Sequence, residues 1–314
     1  MYINSTGFYI PETRIANSYF LNVNGLTEEW ILKRTGISTR SKAADDEGHN
    51  SMGLAAVEDA IKRLPYDIKD VDLIVSASYS PYDTVATLAH ITQKKYNINN
   101  MKAVYVSSAC SSFVNGLELI EGYFAMGKAS KALLICSEHN SYYSNDLDPV
   151  CGHLWGDGAV AFFLSAEKIS EFDPEISQIY TQGLGNIGKG PEGVRLRLKE
   201  GGIEMPDGRD VFINACGYMI QALSAVANPE GLNVRQLDYI ICHQANKRIV
   251  ANVARQLEMD DSRFINNIEE LGNTGSASAA IVFAQNRNKF KKGETIGLTV
   301  FGGGYSCGAF LIKI

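Results

Sequence analysis

The chain has 314 residues, and its contents of 45% apolar and 20% charged residues are those of a globular protein with one large domain or two ordinary ones. A formal charge of −6 argues against nucleic-acid binding, which usually needs a basic surface. The six cysteines form no C-x-x-C pair, so they predict neither a zinc site nor a disulfide framework.

The N-terminal segment lacks a basic stretch followed by an apolar one, so we expect no signal peptide. Apolar runs such as Ala132–Cys136 and Ala159–Leu164 are too short to span a bilayer. These features predict a cytoplasmic protein with reduced cysteines, no bound metal, no nucleic-acid partner and no membrane partner.

In chain order, helix-like and strand-like segments alternate through the first half. The predicted segments are a helix over 53–64, strands over 72–76 and 101–106, a helix over 111–124, and strands over 131–136 and 158–164. The helix over 111–124 is supported by apolar residues at i, i+4, i+7 and i+11 from Phe113 to Phe124, which form one face.

The second half repeats this order. A helix over 217–227 precedes strands that match those of the first half, namely 238–242 with 72–76, 294–300 with 131–136, and 308–314 with 158–164. The alternative is a chance similarity between short apolar runs. We interpret the pattern as an internal duplication, with one half over 1–166 and the other over 167–314. Because alternating strands and helices predict parallel strands covered by helices, two packed halves would form one five-layered αβαβα body.

Cys110 lies where a predicted strand gives way to a predicted helix, among small residues that leave room for a ligand. Unpaired backbone N–H groups and the helix dipole favour an anion at such a position. We therefore expect a lowered thiol pKa and a nucleophilic thiolate. A buried cysteine at a tight packing point would have the same local sequence.

Two further motifs carry polar groups suited to catalysis. His243 directly follows the strand-like run 237–242, where side chains of α/β proteins face the ligand crevice. Asn273 belongs to the polar turn Gly272–Ala279, which leads into a helix of small residues. Taken singly, His243 is equally consistent with a structural histidine, and Asn273 with a helix cap.

Taken together, these motifs resemble the ketoacyl synthase III family of condensing enzymes, in the thiolase superfamily. The resemblance extends over the whole chain. Its motifs, in family order, are Glu29–Ile37, Ser108–Ser111, Gly156–Ala159, His243–Arg248, Gly272–Thr274 and Phe301–Gly304.

The resemblance implies a thiolase-like fold and a decarboxylative Claisen condensation. In that reaction Cys110 would accept an acyl group, and an acyl-carrier protein would deliver a malonyl unit. His243 and Asn273 would hold the enolate, and the backbone N–H groups of Cys110 and Gly303 the tetrahedral oxyanion. Phe301 would supply an apolar wall beside the malonyl carboxylate. The resemblance also implies a homodimer without a cofactor, whose substrates are coenzyme A or phosphopantetheine thioesters.

Several residues match family positions that bind the thioester or its carrier. Trp30 and Arg34 match contacts with coenzyme A. Asn246, Lys247 and Arg248 follow His243 and are suited to bind a phosphopantetheine phosphate or an acidic carrier protein. The alternative interpretation of these three residues is a solvated helix start.

The chain also departs from the family pattern. The family's nucleotide-stacking arginine is missing, and Val150–His153 stands in its place. Ile213 occupies a position where a basic residue is expected. Both losses weaken the case for tight coenzyme A binding. Val85 replaces a large aromatic residue that shortens the acyl pocket in many priming synthases, which indicates a longer or branched acyl group.

Three alternatives compete with a priming role in fatty-acid synthesis. One is a condensing enzyme of secondary metabolism that joins two acyl chains, of the dialkylresorcinol or cyclohexanedione type. A papain-like protease would have cysteine, histidine and asparagine in this order, but it would leave the duplication unexplained. A non-catalytic partner subunit would not need all three residues.

Overall fold

The structure is a computed structural model that describes all of residues 1–314. The strands are β1 (Tyr2–Tyr9), β2 (Arg14–Ala16), β3 (Thr39–Ser41), β4 (Leu73–Ala77), β5 (Lys102–Val106), β6 (Lys131–Glu138), β7 (Gly158–Ser165), β8 (Glu175–Gly183), β9 (Arg195–Arg197), β10 (Gly202–Glu204), β11 (Tyr239–Cys242), β12 (Thr295–Gly302) and β13 (Ser306–Lys313). The α-helices are α1 (Ser18–Asn24), α2 (Glu28–Thr35), α3 (His49–Ile61), α4 (Leu88–Tyr96), α5 (Ser112–Ala125), α6 (Asn140–Tyr143), α7 (Gly208–Ala227), α8 (Lys247–Leu257), α9 (Ile268–Leu271) and α10 (Ser278–Asn286).

Nine strands are hydrogen-bonded in the order β11-β12-β13-β8-β1-β7-β6-β4-β5. The two halves of this array meet at a single register pair between β1 and β8, Tyr2 with Glu175. On each side of that junction the pairings repeat, with two antiparallel pairs followed by a parallel pair. In the first half, β4 has a further parallel partner, β5. In the second half, the equivalent strand β11 has only a single parallel bridge at that place, between Ile240 and Phe264.

The internal duplication predicted from the sequence is confirmed by this arrangement. The three predicted matches join strands at equivalent places in the two sheets, namely β4 with β11, β6 with β12 and β7 with β13. Helices α5 and α10 also occupy equivalent places, because each follows the outermost strand position of its half.

The layers follow the predicted αβαβα order. Helices α3 and α4 cover the outer face of the first sheet, and α7 and α8 cover the outer face of the second. Helices α5 and α10 lie between the sheets and contact both. Since a helix between two sheets is surrounded by apolar neighbours, α5 and α10 carry few exposed residues, and the largest core cluster surrounds them.

Helix α7, with 20 residues, is the longest helix. The segment Gly208–Glu230 is long and apolar enough to cross a bilayer, yet it packs against β12 and β13 with eight of the helix residues buried. Helix α7 starts nine residues before the predicted helix over 217–227, because the Asp207 side chain accepts a hydrogen bond from the backbone of Asp210 and caps its first turn.

Candidate functional site

Cys110 lies in a tight turn that joins β5 to α5. Ala109, the residue before it, has the left-handed backbone conformation with φ of 47°, which costs a residue with a side chain roughly 1–2 kcal/mol. The Ser112 hydroxyl stabilises this turn with two hydrogen bonds. It accepts one from Ser108 N–H (2.8 Å) and donates one to Ala109 C=O (2.6 Å). The turn places Cys110 two residues before the first residue of α5.

The pKa of Cys110 does not follow the prediction from the helix start. Burial raises it to about 12, and the nearby carboxyl group of Glu138 adds to the rise. Hydrogen bonds from the Tyr79 hydroxyl and from the backbone N–H groups of Cys110 and Gly303 lower the pKa but do not offset burial. The expectation of a lowered pKa is therefore wrong for the free site, because Cys110 is only 7% exposed.

The turn between β12 and β13 closes on the nucleophile. A Cβ atom at Gly302 would lie 2.8 Å from the backbone nitrogen of Cys110, so only glycine permits this approach. The backbone N–H groups of Cys110 and Gly303 both lower the pKa of the Cys110 thiol, and they are the two donors predicted to hold an oxyanion.

His243 follows β11 and is 2% exposed. Its Nδ1 lies 2.8 Å from the Ser278 hydroxyl, and its ring is also close to the carbonyl group of Gly275. The other ring nitrogen, Nε2, makes no hydrogen bond within the chain. Burial lowers the pKa of His243 to about 4, so the ring is neutral at physiological pH.

The neutrality of His243 can be measured by nuclear magnetic resonance of histidine labelled at Cε1. We expect the His243 resonance to keep the position of a neutral ring down to about pH 5, well below the ordinary midpoint for histidine. The spectrum of a His243→Gln variant identifies the resonance. A midpoint near the ordinary histidine pKa would contradict the expected effect of burial.

Asn273 begins the turn that leads into α10, and its side chain is 3% exposed. Its Oδ1 accepts a hydrogen bond from the N–H group of Gly275 at 3.0 Å. This bond directs the oxygen inward and leaves the amide nitrogen Nδ2 without a partner in the chain. Asn273 and His243 therefore meet at Gly275, and each presents an unpartnered nitrogen.

A buried carboxylate connects this turn to the nucleophile. Glu138, at the end of β6, is 0% exposed and accepts four hydrogen bonds. Two come from the Ser80 backbone (3.1 Å) and hydroxyl, one from Tyr79 N–H (3.3 Å) and one from the Ser276 hydroxyl. Glu138 thereby joins the loop after β4, in the half with Cys110, to the turn that starts at Asn273.

Glu138 also predicts a pH dependence of stability. Burial raises its pKa from 4.5 to about 7. A carboxyl group that binds its proton more tightly in the folded state stabilises that state fully at pH values below its pKa in the unfolded chain. This stabilisation is lost as the pH rises through its pKa in the folded chain. The loss is about 3 kcal/mol. The free energy of unfolding of Glu138→Gln, relative to that of the wild type, should therefore increase by about this amount between about pH 5 and about pH 8.

Urea unfolding at the two pH values measures this gain. The variant Glu171→Gln, which changes an exposed glutamate without an ion-pair partner, supplies the baseline. A difference between Glu138→Gln and the wild type that stays constant with pH would contradict the raised pKa.

A cavity of about 900 Å³ opens beside Cys110. Most of its lining is apolar or aromatic, and it extends along the hairpin β9–β10 and the loop after β4. The hydroxyl groups of Tyr79, Tyr105 and Tyr305 point away from it, toward Asn140 (2.8 Å), Ser78 C=O (2.7 Å) and Asp210 (2.9 Å). Their rings remain as cavity walls, a surface suited to an acyl chain.

Phe301 lies outside this cavity, although the sequence analysis assigned it as an active-site wall. It is 3% exposed, and its ring packs against Tyr218 and Tyr305 in the core between the second sheet and α7. The predicted wall is therefore not part of the cavity beside Cys110.

Val85 was expected to lengthen the acyl pocket, and within this chain it does not line the cavity. It is 84% exposed. The side chain of Asp83 accepts hydrogen bonds from the N–H groups of Val85 (2.7 Å) and Ala86 (3.1 Å), and this turn directs Val85 outward. The inference of a longer or branched acyl group from Val85 therefore has no support within the chain.

The residues predicted to bind the thioester or its carrier share one surface between α2 and α8. The Arg34 guanidinium lies 5.3 Å from the centre of the Trp30 ring, and Asn246 donates to Arg34 C=O at 3.1 Å. Asn246 also caps α8 through Arg248 N–H, as the alternative interpretation predicted. Lys247 forms an ion pair with Glu269 at 2.9 Å, whereas neither arginine has an ion-pair partner.

The positions that depart from the family pattern lie beside this surface. His153 is 2% exposed and meets the Trp30 ring edge-on at 5.6 Å, so it packs beneath Trp30 instead of stacking above it. Ile213 is 59% exposed and follows Phe212, whose ring lies under the Arg248 guanidinium. Arg248 therefore brings a guanidinium group beside one of the two positions where a basic residue is missing.

Sequence reasoning missed Tyr79, Glu138 and Asn140. All three lie at the carboxyl ends of β4 and β6, the same edge that was used to select His243 after β11. Applying that rule to every predicted parallel strand would have found them.

Comparisons with known proteins agree with this geometry. Residues 105–183 match the family "3-Oxoacyl-[acyl-carrier-protein (ACP)] synthase III", and residues 228–314 match the C-terminal family of the same name. A β-ketoacyl-[acyl-carrier-protein] synthase III from Acholeplasma laidlawii is 31% identical over 314 residues, covering 99% of this chain and 98% of the relative. The one from Methylococcus capsulatus is 31% identical, with coverage of 99% and 98%.

A solved structure shows the same fold. The crystal structure of 3-oxoacyl-[acyl-carrier-protein] synthase III from Aquifex aeolicus superposes with a TM-score of 0.91 at 29% identity. The superposition covers 100% of this chain and 99% of that structure.

Proposed function

The chain belongs to the 3-oxoacyl-[acyl-carrier-protein] synthase III family, and from that premise we propose that it condenses an acyl group on Cys110 with a malonyl group on acyl-carrier protein. The observation that carries this proposal is the pair of unpartnered nitrogens, Nε2 of His243 and Nδ2 of Asn273, on two buried side chains that both lie against Gly275. Two neutral donors held at the same turn are suited to an enolate oxygen.

The first half-reaction acylates the nucleophile. The sulfur of Cys110 attacks the thioester carbonyl, the bond to the donor thiol breaks, and the proton of Cys110 leaves on that thiol. The high pKa of Cys110 keeps the free site protonated, which suits an exchange of one thioester for another because no net charge remains in the buried site. The acyl chain then extends into the cavity of about 900 Å³.

The second half-reaction forms the carbon–carbon bond. The malonyl thioester loses carbon dioxide, and the electron pair of the broken bond forms an enolate held by His243 and Asn273. The enolate carbon attacks the Cys110 thioester, whose oxyanion accepts hydrogen bonds from Cys110 N–H and Gly303 N–H. The bond to sulfur breaks, the β-ketoacyl carrier leaves, and the Cys110 thiolate takes up a proton.

A neutral histidine fits this role. Because burial lowers the pKa of His243 to about 4, the ring donates a hydrogen bond without adding a charge. The Ser278 hydroxyl 2.8 Å from Nδ1 fixes the ring so that Nε2 faces the substrate.

We further propose acyl-carrier protein as the partner that brings the malonyl group. Arg34 and Arg248 have no ion-pair partners and lie on the surface that holds Trp30, where they suit a phosphopantetheine phosphate. No protein-bound cofactor is needed, since the thioesters are the substrates.

The assembly we propose is a homodimer in the cytoplasm. Strand β5 pairs with β4 along one edge, and its other edge is open to a second chain. All six cysteines are free thiols, which fits a reducing compartment.

A role in fatty-acid synthesis is favoured over the dialkylresorcinol or cyclohexanedione alternative. The curated relatives that span nearly the whole chain carry the name of the synthase III family. The papain-like alternative does not fit the duplicated fold that this chain shares with the Aquifex aeolicus enzyme.

The test is intact-mass analysis after incubation with a panel of acyl thioesters on coenzyme A and on acyl-carrier protein, followed by malonyl-acyl-carrier protein. We expect an acyl adduct on Cys110 that disappears when malonyl carrier is added, with release of carbon dioxide and a β-ketoacyl carrier. An adduct that water removes equally well without malonyl carrier would contradict the proposed condensation.

A further inference from the structure

Strand β9 places a row of aliphatic side chains along the cavity of about 900 Å³ beside Cys110. Val194, Leu196 and Leu198 all line this cavity. Their spacing of two residues puts them on one face of the strand, because side chains alternate between the two faces. The strand therefore supplies a continuous apolar track along the cavity wall.

This track begins beside the nucleophile and ends at the protein surface. A Cβ atom at Gly303 would lie 3.0 Å from the Cβ atom of Val194, so Val194 packs against the turn that closes on Cys110. Leu196 is half-buried, and Leu198 is 71% exposed. From Val194 to Leu198 a strand advances about 13 Å. An extended alkyl chain with bonds of about 1.5 Å advances about 1.3 Å per carbon, so the track matches a chain of about ten carbons.

Packing on the second strand of the hairpin holds the track in place. Ile203 pairs with Leu196 across the hairpin, is 3% exposed, and belongs to a buried cluster with Trp155. A Cβ atom at Gly202 would lie 2.0 Å from the Tyr143 carbonyl oxygen, so the two backbones are in direct contact. Ile203, Trp155 and Tyr143 also line the cavity. The length of the track is therefore a property of the fold.

The two charged side chains on the cavity lining are already paired within the chain. Arg195 forms ion pairs with Glu192 and Glu204, each at 2.7 Å. The carboxylate of Asp83 accepts hydrogen bonds from two backbone N–H groups. Neither charge is left without a partner that a polar acyl tail could supply. The lining is therefore suited to a saturated hydrocarbon.

We infer that the acyl group accepted by Cys110 is a saturated chain of about ten carbons, and that Leu196 determines the preference for this length. The inference rests on the proposed function for the attachment of the acyl group to Cys110. Since a cavity of about 150 Å³ holds benzene, at about 25 Å³ per carbon, an acetyl group would fill only about a twentieth of this cavity. Each further methylene group that leaves water favours binding by about fourfold.

The test is the rate of Cys110 acylation by a series of acyl thioesters with even-numbered chains from acetyl to palmitoyl, all on acyl-carrier protein. Intact mass follows the adduct. We expect the rate to be highest near decanoyl, with decanoyl about tenfold faster than acetyl or more. A series that is fastest with acetyl, or equally fast at all lengths, would overturn the inference.

Leu196→Trp tests the residue, with Leu147→Trp as the matched control. An indole at position 196 obstructs the middle of the track, so the ratio of the decanoyl rate to the acetyl rate should fall about tenfold below that of the wild type. Leu147 is 67% exposed and does not line the cavity, so its variant should keep the wild-type ratio. A ratio within one preparation is independent of the amount of folded protein. An unchanged ratio in Leu196→Trp would show that Leu196 does not determine chain length.

A second probe reaches the track without thioester chemistry. Methyl and octyl methanethiosulfonate each form a mixed disulfide with Cys110, whose proton is lost as methanesulfinate leaves. Peptide mass analysis reads the adduct, because the other five cysteines are also buried. The ratio of the octyl rate to the methyl rate, divided by the same ratio for glutathione, should be about ten or more.

The two probes separate this inference from the proposed function. If no thioester acylates Cys110, the proposed function fails, and a preference for the octyl reagent still supports an alkyl track beside the sulfur. If acylation proceeds but the octyl reagent has no advantage over the methyl reagent, the condensation stands and the inference of a long acyl chain is overturned.

Discussion

Cys110→Ala is expected to lose all acyl-enzyme formation and all condensation. The sulfur is the proposed attachment point of the acyl group, and the backbone N–H groups of Cys110 and Gly303 that lower its pKa are suited to hold the oxyanion of the thioester. Removing a covalent nucleophile typically lowers kcat by a factor on the order of 10⁴ to 10⁶. The measurement is intact mass after incubation with each acyl thioester, together with β-ketoacyl carrier formation.

Cys216→Ala is the matched control for this loss. Cys216 is a buried free thiol on α7, in the core on the far side of the second sheet, and burial raises its pKa to about 11. The control should keep the adduct and the condensation rate. An acyl adduct on Cys110→Ala would show that another residue is the nucleophile.

The two-fold architecture could be predicted from the sequence because strands buried on both faces are continuous apolar runs. The segments 131–136 and 158–164 are such runs, and they became β6 and β7 with every residue but Lys131 buried. The order of the runs then predicted the repeat, since strands at equivalent places carry similar sequences.

The reactive state of Cys110 could not be predicted in the same way. The helix start was correctly placed, and the backbone N–H group of Cys110 at that start does lower the pKa of the thiol. Burial outweighs them, and burial is set by β13, the loop after β4 and the turn at Gly302, none of which is near Cys110 in sequence. A local motif therefore predicts the donors around a thiol but not the balance between those donors and desolvation.

Val85 and Phe301 do not line the cavity of about 900 Å³, for a related reason. A family position predicts where a residue lies along the chain, whereas the direction of its side chain depends on local hydrogen bonds and packing. The Asp83 turn directs Val85 outward, and Tyr218 on α7 holds the Phe301 ring in the core.

Asn273→Ala is expected to separate the two half-reactions. The amide Nδ2 has no partner in the free chain, so its loss breaks no hydrogen bond, and the loss of Oδ1 leaves only the Gly275 N–H group without its acceptor. Acylation of Cys110 uses the backbone N–H groups and should proceed at the wild-type rate. Decarboxylation needs the donor at the enolate oxygen, and its rate should fall by a factor on the order of 10² to 10³.

The measurement follows both steps in one preparation, with acyl adduct by intact mass and carbon dioxide release from malonyl-acyl-carrier protein. Asn286→Ala is the control, since Asn286 lies at the other end of α10 and its amide donates only to the Val282 carbonyl. Unchanged carbon dioxide release from Asn273→Ala would mean that His243 alone holds the enolate. Slow acylation in the same variant would instead indicate that Asn273 acts on the first carbonyl, because only a donor shared by both half-reactions can slow both.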